Sequence, residues 1–175
     1  MPYSELENRI INASRENPIN ITEVQNLFDK GADPNAVDDW DEKEQEYMET
    51  LFTECVFATP WDGADMYPLL ECFINNGLDV QRLAELILKS LIYVGPNTSR
   101  IKMAKLILEH LPNKIDMSNV LMTVGEEESF YRYCGNNTEL YQIDDDREAD
   151  DLSNLYELLD AYARDSRKDF NHGFK

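Results

Sequence analysis

The sequence predicts an all-α fold: a row of about four antiparallel helix pairs, with insertions, in one domain over residues 1–175. Three observations predict it. Apolar residues recur at three-to-four spacing along nearly the whole chain, the period of a helix with one face in a core. Start and stop signals for helices fall where those stripes begin and end. Apolar pairs that close a helix, "LFDKG" from Leu27, "FINNG" from Phe73, "ILEHL" from Ile107 and "LLDAY" from Leu158, recur 46, 34 and 51 residues apart, spacings of the order that stacked helical hairpins give. No alternating strand pattern competes with them.

The first stripe is Tyr3, Leu6, Ile10 and Ala13, and Ser4 with Glu7 has the form of a capping box that starts it. Asn20 and Glu23 offer a second start, for a helix with Val24, Leu27 and Phe28 on one face. That helix stops at Lys30 and Gly31, where glycine can take the left-handed conformation of a helix end. "QRLAELILKSLIYV", Gln81 to Val94, is apolar almost all round and belongs in mid-core. Arg100 to Leu111 is amphipathic, with Ile101, Ala104, Ile107, Leu108 and Leu111 facing in and Arg100, Lys102 and Lys105 facing out. Leu152, Leu155, Tyr156, Leu159, Tyr162 and Ala163 draw the last stripe.

One segment carries a family resemblance. Val24 to Ala36 resembles the second helix and hairpin loop of an ankyrin repeat, at Val24, Leu27, Phe28, Gly31, Ala32, Asp33, Asn35 and Ala36. "FINNGLDV", from Phe73, is a weaker echo. The family's Thr-Pro-Leu-His opening is not present as such, and "ETLFTECVFA" is a degenerate version of it. The resemblance implies an ankyrin-like stack. In such a stack each hairpin is too apolar to stand alone, and outward loops with one helix face form a long surface suited to protein recognition.

Charge says what that surface meets. The chain has 16 basic and 35 acidic residues, net −19, which repels phosphate, nucleic acid and anionic lipid. No direct nucleic-acid ligand and no membrane are expected. Residues 38–54 hold net −7, Glu126 to Glu128 −3 and residues 139–151 −6, so −16 of the −19 sits in three short segments. By the resemblance, the first segment begins where an ankyrin hairpin loop projects toward its binding edge. Its acids Asp38, Asp39, Asp41, Glu42, Glu44 and Glu46, with the aromatics Trp40 and Tyr47, are the candidate partner-binding residues, joined by Trp61, Asp62 and Tyr67 on the next loop. Aromatic anchors beside acid suit a basic protein surface. The same residues also fit a solvated acidic face with its aromatics in the core.

Chemistry finds little purchase. "DDWDEKEQEYME" lacks the sixth-position glycine and the spaced ligands of an EF-hand loop, and "DDDREADD" fails the same test. His110 and His172 have no partner at metal-ligand spacing. No phosphate-cradling glycine loop or nucleophile elbow occurs. The expectation is no enzyme, no cofactor and no metal. Cys55, Cys72 and Cys134 are an odd number without paired spacing, which predicts reduced, buried thiols. "MPYSELENRI" has acid where a signal peptide has base, and no stretch of about 18 residues is apolar throughout, so a soluble cytoplasmic protein, monomeric when free, is expected. Three functions compete. One is an inhibitor or immunity-type protein that covers the basic cleft of a partner such as a nuclease toxin. Another is a general ankyrin-like adaptor in a larger assembly, and the third is an enzyme of unrecognised type.

Overall fold

The computed structural model describes residues 3–38, 49–60, 64–94, 99–135 and 145–170, the side chains of 134, 135, 145–147 and 166–170 excepted. Among the described residues the fold is all-α. Eight α-helices run in the order α1 (Glu5–Ser14), α2 (Ile21–Asp29), α3 (Leu51–Ala58), α4 (Tyr67–Asn75), α5 (Val80–Ser90), α6 (Arg100–Glu109), α7 (Ser118–Gly135) and α8 (Asp145–Phe170). A 3₁₀ turn, Leu91–Tyr93, extends α5. The strands β1 (Val37–Asp38) and β2 (Glu49–Thr50) make one two-residue antiparallel ladder, Val37 opposite Thr50 and Asp38 opposite Glu49. The chain divides into two compact units, Met1–His110 and Leu111–Lys175.

In the first unit the helices pack in two rows. α1 lies on α3 and α3 on α5; α2 lies on α4 and α4 on α6, with α1–α2 and α5–α6 contacts across the rows. The start signals hold at atomic level. Ser4 and Glu7 close a reciprocal capping box (Ser4 N to Glu7 Oε2 2.6 Å; Glu7 N to Ser4 Oγ 3.4 Å), and the buried Glu7 also accepts from the Asp33 amide at 3.2 Å. Asn20 caps α2 by accepting from the Glu23 amide at 3.1 Å, and Thr50 with Thr53 closes a second reciprocal box on α3. Side chains thus satisfy amides that have no partner within their own helix. Phe28, Phe52 and Phe73 meet edge to face at 5.0 and 5.4 Å and join α2, α3 and α4. Each such side chain, fully buried, contributes about 1.5–3 kcal/mol by leaving water.

The turns after α2 and α4 share one backbone. Gly31 has φ +99° and Gly77 φ +93°. Ala32 N–H donates to Leu27 O, and Leu78 N–H to Phe73 O, at 3.1 Å in each case. Asn35 ties the two turns together. Its side-chain amide donates to Gly77 O at 2.9 Å, its Oδ1 accepts from the Asp79 amide at 2.5 Å, and its carbonyl accepts from Arg82 at 3.1 Å.

Arg100 corrects one expectation. It stands at the start of α6, where amphipathicity predicts that it faces solvent, yet it is 0% exposed. The 3₁₀ turn that ends α5 leaves carbonyls without helical donors. The Arg100 guanidinium supplies them, from Nε to Leu91 O at 2.8 Å and also to the carbonyls of Ile92 and Val94. Lys102 and Lys105 are exposed as expected.

The second unit is built on α7 and α8, which pack along their length. Arg132 pairs with Asp150 at 3.6 Å, Gly125 lies against Tyr156, and Lys114 donates to Asp165 O at 3.4 Å, a descending register that makes the pair antiparallel. The expected stripe of α8 is buried at Leu152, Leu155, Leu159 and Ala163. α7 is not among the helices drawn from periodicity.

Candidate partner-binding surface

Segment 39–48 enters and leaves through β1 and β2. The ladder sets Asp38 directly across from Glu49, and Leu51 N–H closes the base on Ala36 O at 2.9 Å. Like charges opposite each other destabilise a strand pair, and one turn into α3 stands a third carboxyl, Glu54. The proton balance of this neck shows the strain. Glu54 is pushed up to about 7, first by its hydrogen bond with the Glu49 carboxyl, then by burial, then by the charges of Glu49 and Asp38. Tyr3 donates its hydroxyl to Glu49 O at 3.0 Å. Its acidity is suppressed by burial first and then by the charges of Glu54, Asp38 and Glu49. Three carboxyls and a phenol therefore share one small region of negative potential at the root of the acidic segment. Among the described residues no three His, Cys, Asp or Glu side chains are placed to hold a metal ion.

Of the candidate residues, Asp38 and Tyr67 are described and both are half-buried. Asp38 belongs to the neck. Tyr67 opens α4, in the other helix row, with its amide on Asp65 Oδ1 at 3.0 Å. Asp39, Trp40, Asp41, Glu42, Glu44, Glu46, Tyr47, Trp61 and Asp62 lie outside the described residues.

Two aromatic residues in this unit are not among those the sequence singles out. Phe57, on α3 one turn beyond Glu54, is 50% exposed, and Tyr93, at the end of the 3₁₀ turn, is 48% exposed. Their rings lie 5.0 Å apart. A signal is present: "LFTECVFA" has more apolar residues than one buried face of an eight-residue helix can hold. α3 buries Leu51, Phe52, Cys55 and Val56 and leaves Phe57 outside. The α3 row thus presents acid at one end of the helix and exposed aromatic surface at the other.

No family model, curated protein or solved structure matches this chain. The ankyrin resemblance accordingly rests on the residues that carry it.

Elsewhere in the unit, a groove of about 370 Å³ runs between α2 and α4, lined by Ile21, Gln25, Pro68, Glu71 and Cys72. Gln25 and Asn76 exchange amide hydrogen bonds of 3.1 and 2.9 Å beside it. Burial raises the Cys72 thiol and pushes Cys55 up to about 12, so both stay protonated at neutral pH and are poor nucleophiles. Both are free cysteines, as the odd count predicts; the Cys134 side chain lies outside the described residues. No helix among the described residues is long and apolar enough to cross a membrane.

Proposed function

We infer that the protein is an acidic protein-binding module, an inhibitor or immunity-type protein that covers the basic cleft of a partner such as a nuclease toxin. The neck carries this reading. A fold gains nothing from holding Asp38, Glu49 and Glu54 together, since their mutual repulsion costs stability at neutral pH. A cationic partner relieves that repulsion on binding, so the cost in the free protein becomes a gain in the complex. Acid presented this way also mimics the phosphate that a nuclease cleft is built to hold, and it speeds encounter. The exposed Phe57 and Tyr93 pair supplies apolar contact on the same row, of the kind that binding hot spots use.

The test begins with the full chain as bait in its own cells. A basic protein should be captured, and its enzymatic activity should fall in the complex. With that protein in hand, association is followed across a salt series for the native chain and for one with Asp38, Asp39, Asp41, Glu42, Glu44 and Glu46 changed to Asn or Gln. Steering lifts association from ~10⁵–10⁶ M⁻¹s⁻¹ toward ~10⁸ M⁻¹s⁻¹ at low salt, so the neutralised chain should associate more slowly and with a flatter salt dependence. Native rates from the neutralised chain at every salt concentration would end the reading. A captured partner that keeps its activity in the complex points to the adaptor instead.

A further inference from the structure

α7 carries large apolar side chains on two opposite sides. It packs along α8 and buries Val120 and Val124, while Met122, Phe130 and Tyr133 are 58%, 53% and 60% exposed. Positions 122, 126, 129, 130 and 133 share one side of the helix, so Met122, Phe130 and Tyr133 line up along roughly 16 Å of it, with Glu126 and Ser129 between them. An open groove of about 720 Å³ runs beside the stripe, lined by Ser118, Leu121, Met122, Gly125, Ser129 and Tyr156. The Tyr156 ring lies 3.4 Å from where a Cβ on Gly125 would stand, which makes α8 one wall of the groove.

Charge selects the occupant. Residues 111–175 carry seven basic and fifteen acidic side chains, net −8, and Glu126 stands exposed within the stripe itself. A second copy would set −8 against −8, and an anionic bilayer is repelled on the same ground. A cationic helix with an apolar face meets neither obstacle: it is drawn in by the field and covers the stripe, the helix-in-groove mode of recognition. We propose that the outer face of α7 is a docking site for a basic amphipathic helix of a partner protein. That length has room for about three turns of such a helix.

The probe is a fluorescein-labelled 16-residue peptide with Leu on one helical face and Lys on the other, titrated against the full chain by anisotropy. Binding should weaken about tenfold or more when Met122, Phe130 and Tyr133 are all changed to Ser, because the apolar contact is lost. Changing Glu126→Gln should weaken it about twofold, as expected for one exposed charge pair. The same peptide with Glu in place of Lys should not bind. Four results overturn the proposal: no binding of the Lys peptide, equal binding of the Glu peptide, native affinity in the triple variant, or a concentration-dependent dimer of the native chain that the triple variant abolishes. Should the triple variant melt early, Phe130→Ser and Glu126→Gln carry the test alone, and native affinity in both overturns it.

Discussion

The turn after α2 and the turn after α4 have the same left-handed glycine and the same backbone bonds, and they lead to different things. Beyond Gly77 the chain takes one residue to reach Asp79, which caps α5 by accepting from the Arg82 amide. Beyond Gly31 it passes Asp33 and Asn35 into β1 and the acidic segment before α3 begins. The turn is therefore a local solution to ending a helix, and it dictates neither the length nor the charge of the connection after it. The insertion is hung on a standard joint. Asn35 keeps that joint in place, because it bonds the second turn as well as leading out of the first.

The two turns should be most sensitive at the residues whose carbonyls receive them. Leu27 and Phe73 are both 0% exposed and occupy equivalent positions. Leu27→Ala should cost about 2–5 kcal/mol and Phe73→Ala about 3–5 kcal/mol. Phe73 should be the worse of the pair, since its ring touches both Phe28 and Phe52 and its removal empties a three-helix junction. Urea denaturation of the two variants ranks them. A smaller loss at Phe73 than at Leu27 would mean that the junction repacks around the gap.

A middle-sized test acts on the joint alone. No atom lies within 4 Å of a Cβ built on Gly31 or Gly77, so Gly→Ala at either site meets no clash. The cost is the left-handed backbone itself, about 1–2 kcal/mol for an L-residue. Equal losses at the two sites, read from denaturation midpoints with unchanged slopes, are the expected outcome. A loss at one turn twice that at the other would show that the two joints differ energetically despite their shared geometry.

The same contrast marks how far sequence alone reaches. Both turns are legible, because a glycine a few residues past a buried apolar pair is a local signal, and so are the caps at Ser4 and Asn20. Asn35 is legible only as part of a family pattern; its partners lie 42 to 47 residues on, where no local rule reaches. α7 escapes because apolar residues on opposite faces blur the single stripe on which helix recognition depends. Arg100 is misplaced because amphipathicity counts a charge as outward, whereas bare carbonyls at a helix end can hold a guanidinium inside. At the candidate surface the acids are plain in composition. The part that Tyr3 and Glu54 play in the neck is not, since it depends on a two-residue ladder that pattern alone does not predict.

The most local effect belongs to the first connection alone and shows as a pH dependence, with its size reduced by solvent screening because Glu54 is only half-buried. Unfolded, Glu54 titrates near 4.5; folded, near 7. The folded chain thus holds the proton more tightly, and this group's contribution to stability is full below about 4.5 and is lost as pH rises through about 7. Other carboxylates add pH dependence of their own, so the quantity to read is the difference in unfolding free energy between the native chain and Glu54→Gln. Gln keeps a neutral side chain of the same shape. The native chain should match the variant most closely near pH 5 and fall behind it by pH 8, with the change centred between the two pKa values. Glu85→Gln on α5, beside its Lys89 partner at 2.8 Å, serves as the control on the helix entered from the second turn. A constant offset between the native chain and Glu54→Gln from pH 5 to 8 would mean that Glu54 does not carry the strain of the neck. A slope of the predicted sign at Glu54 and none of that sign at Glu85 would place the charge repulsion at the insertion, and would leave the two turns alike in backbone and different in electrostatics.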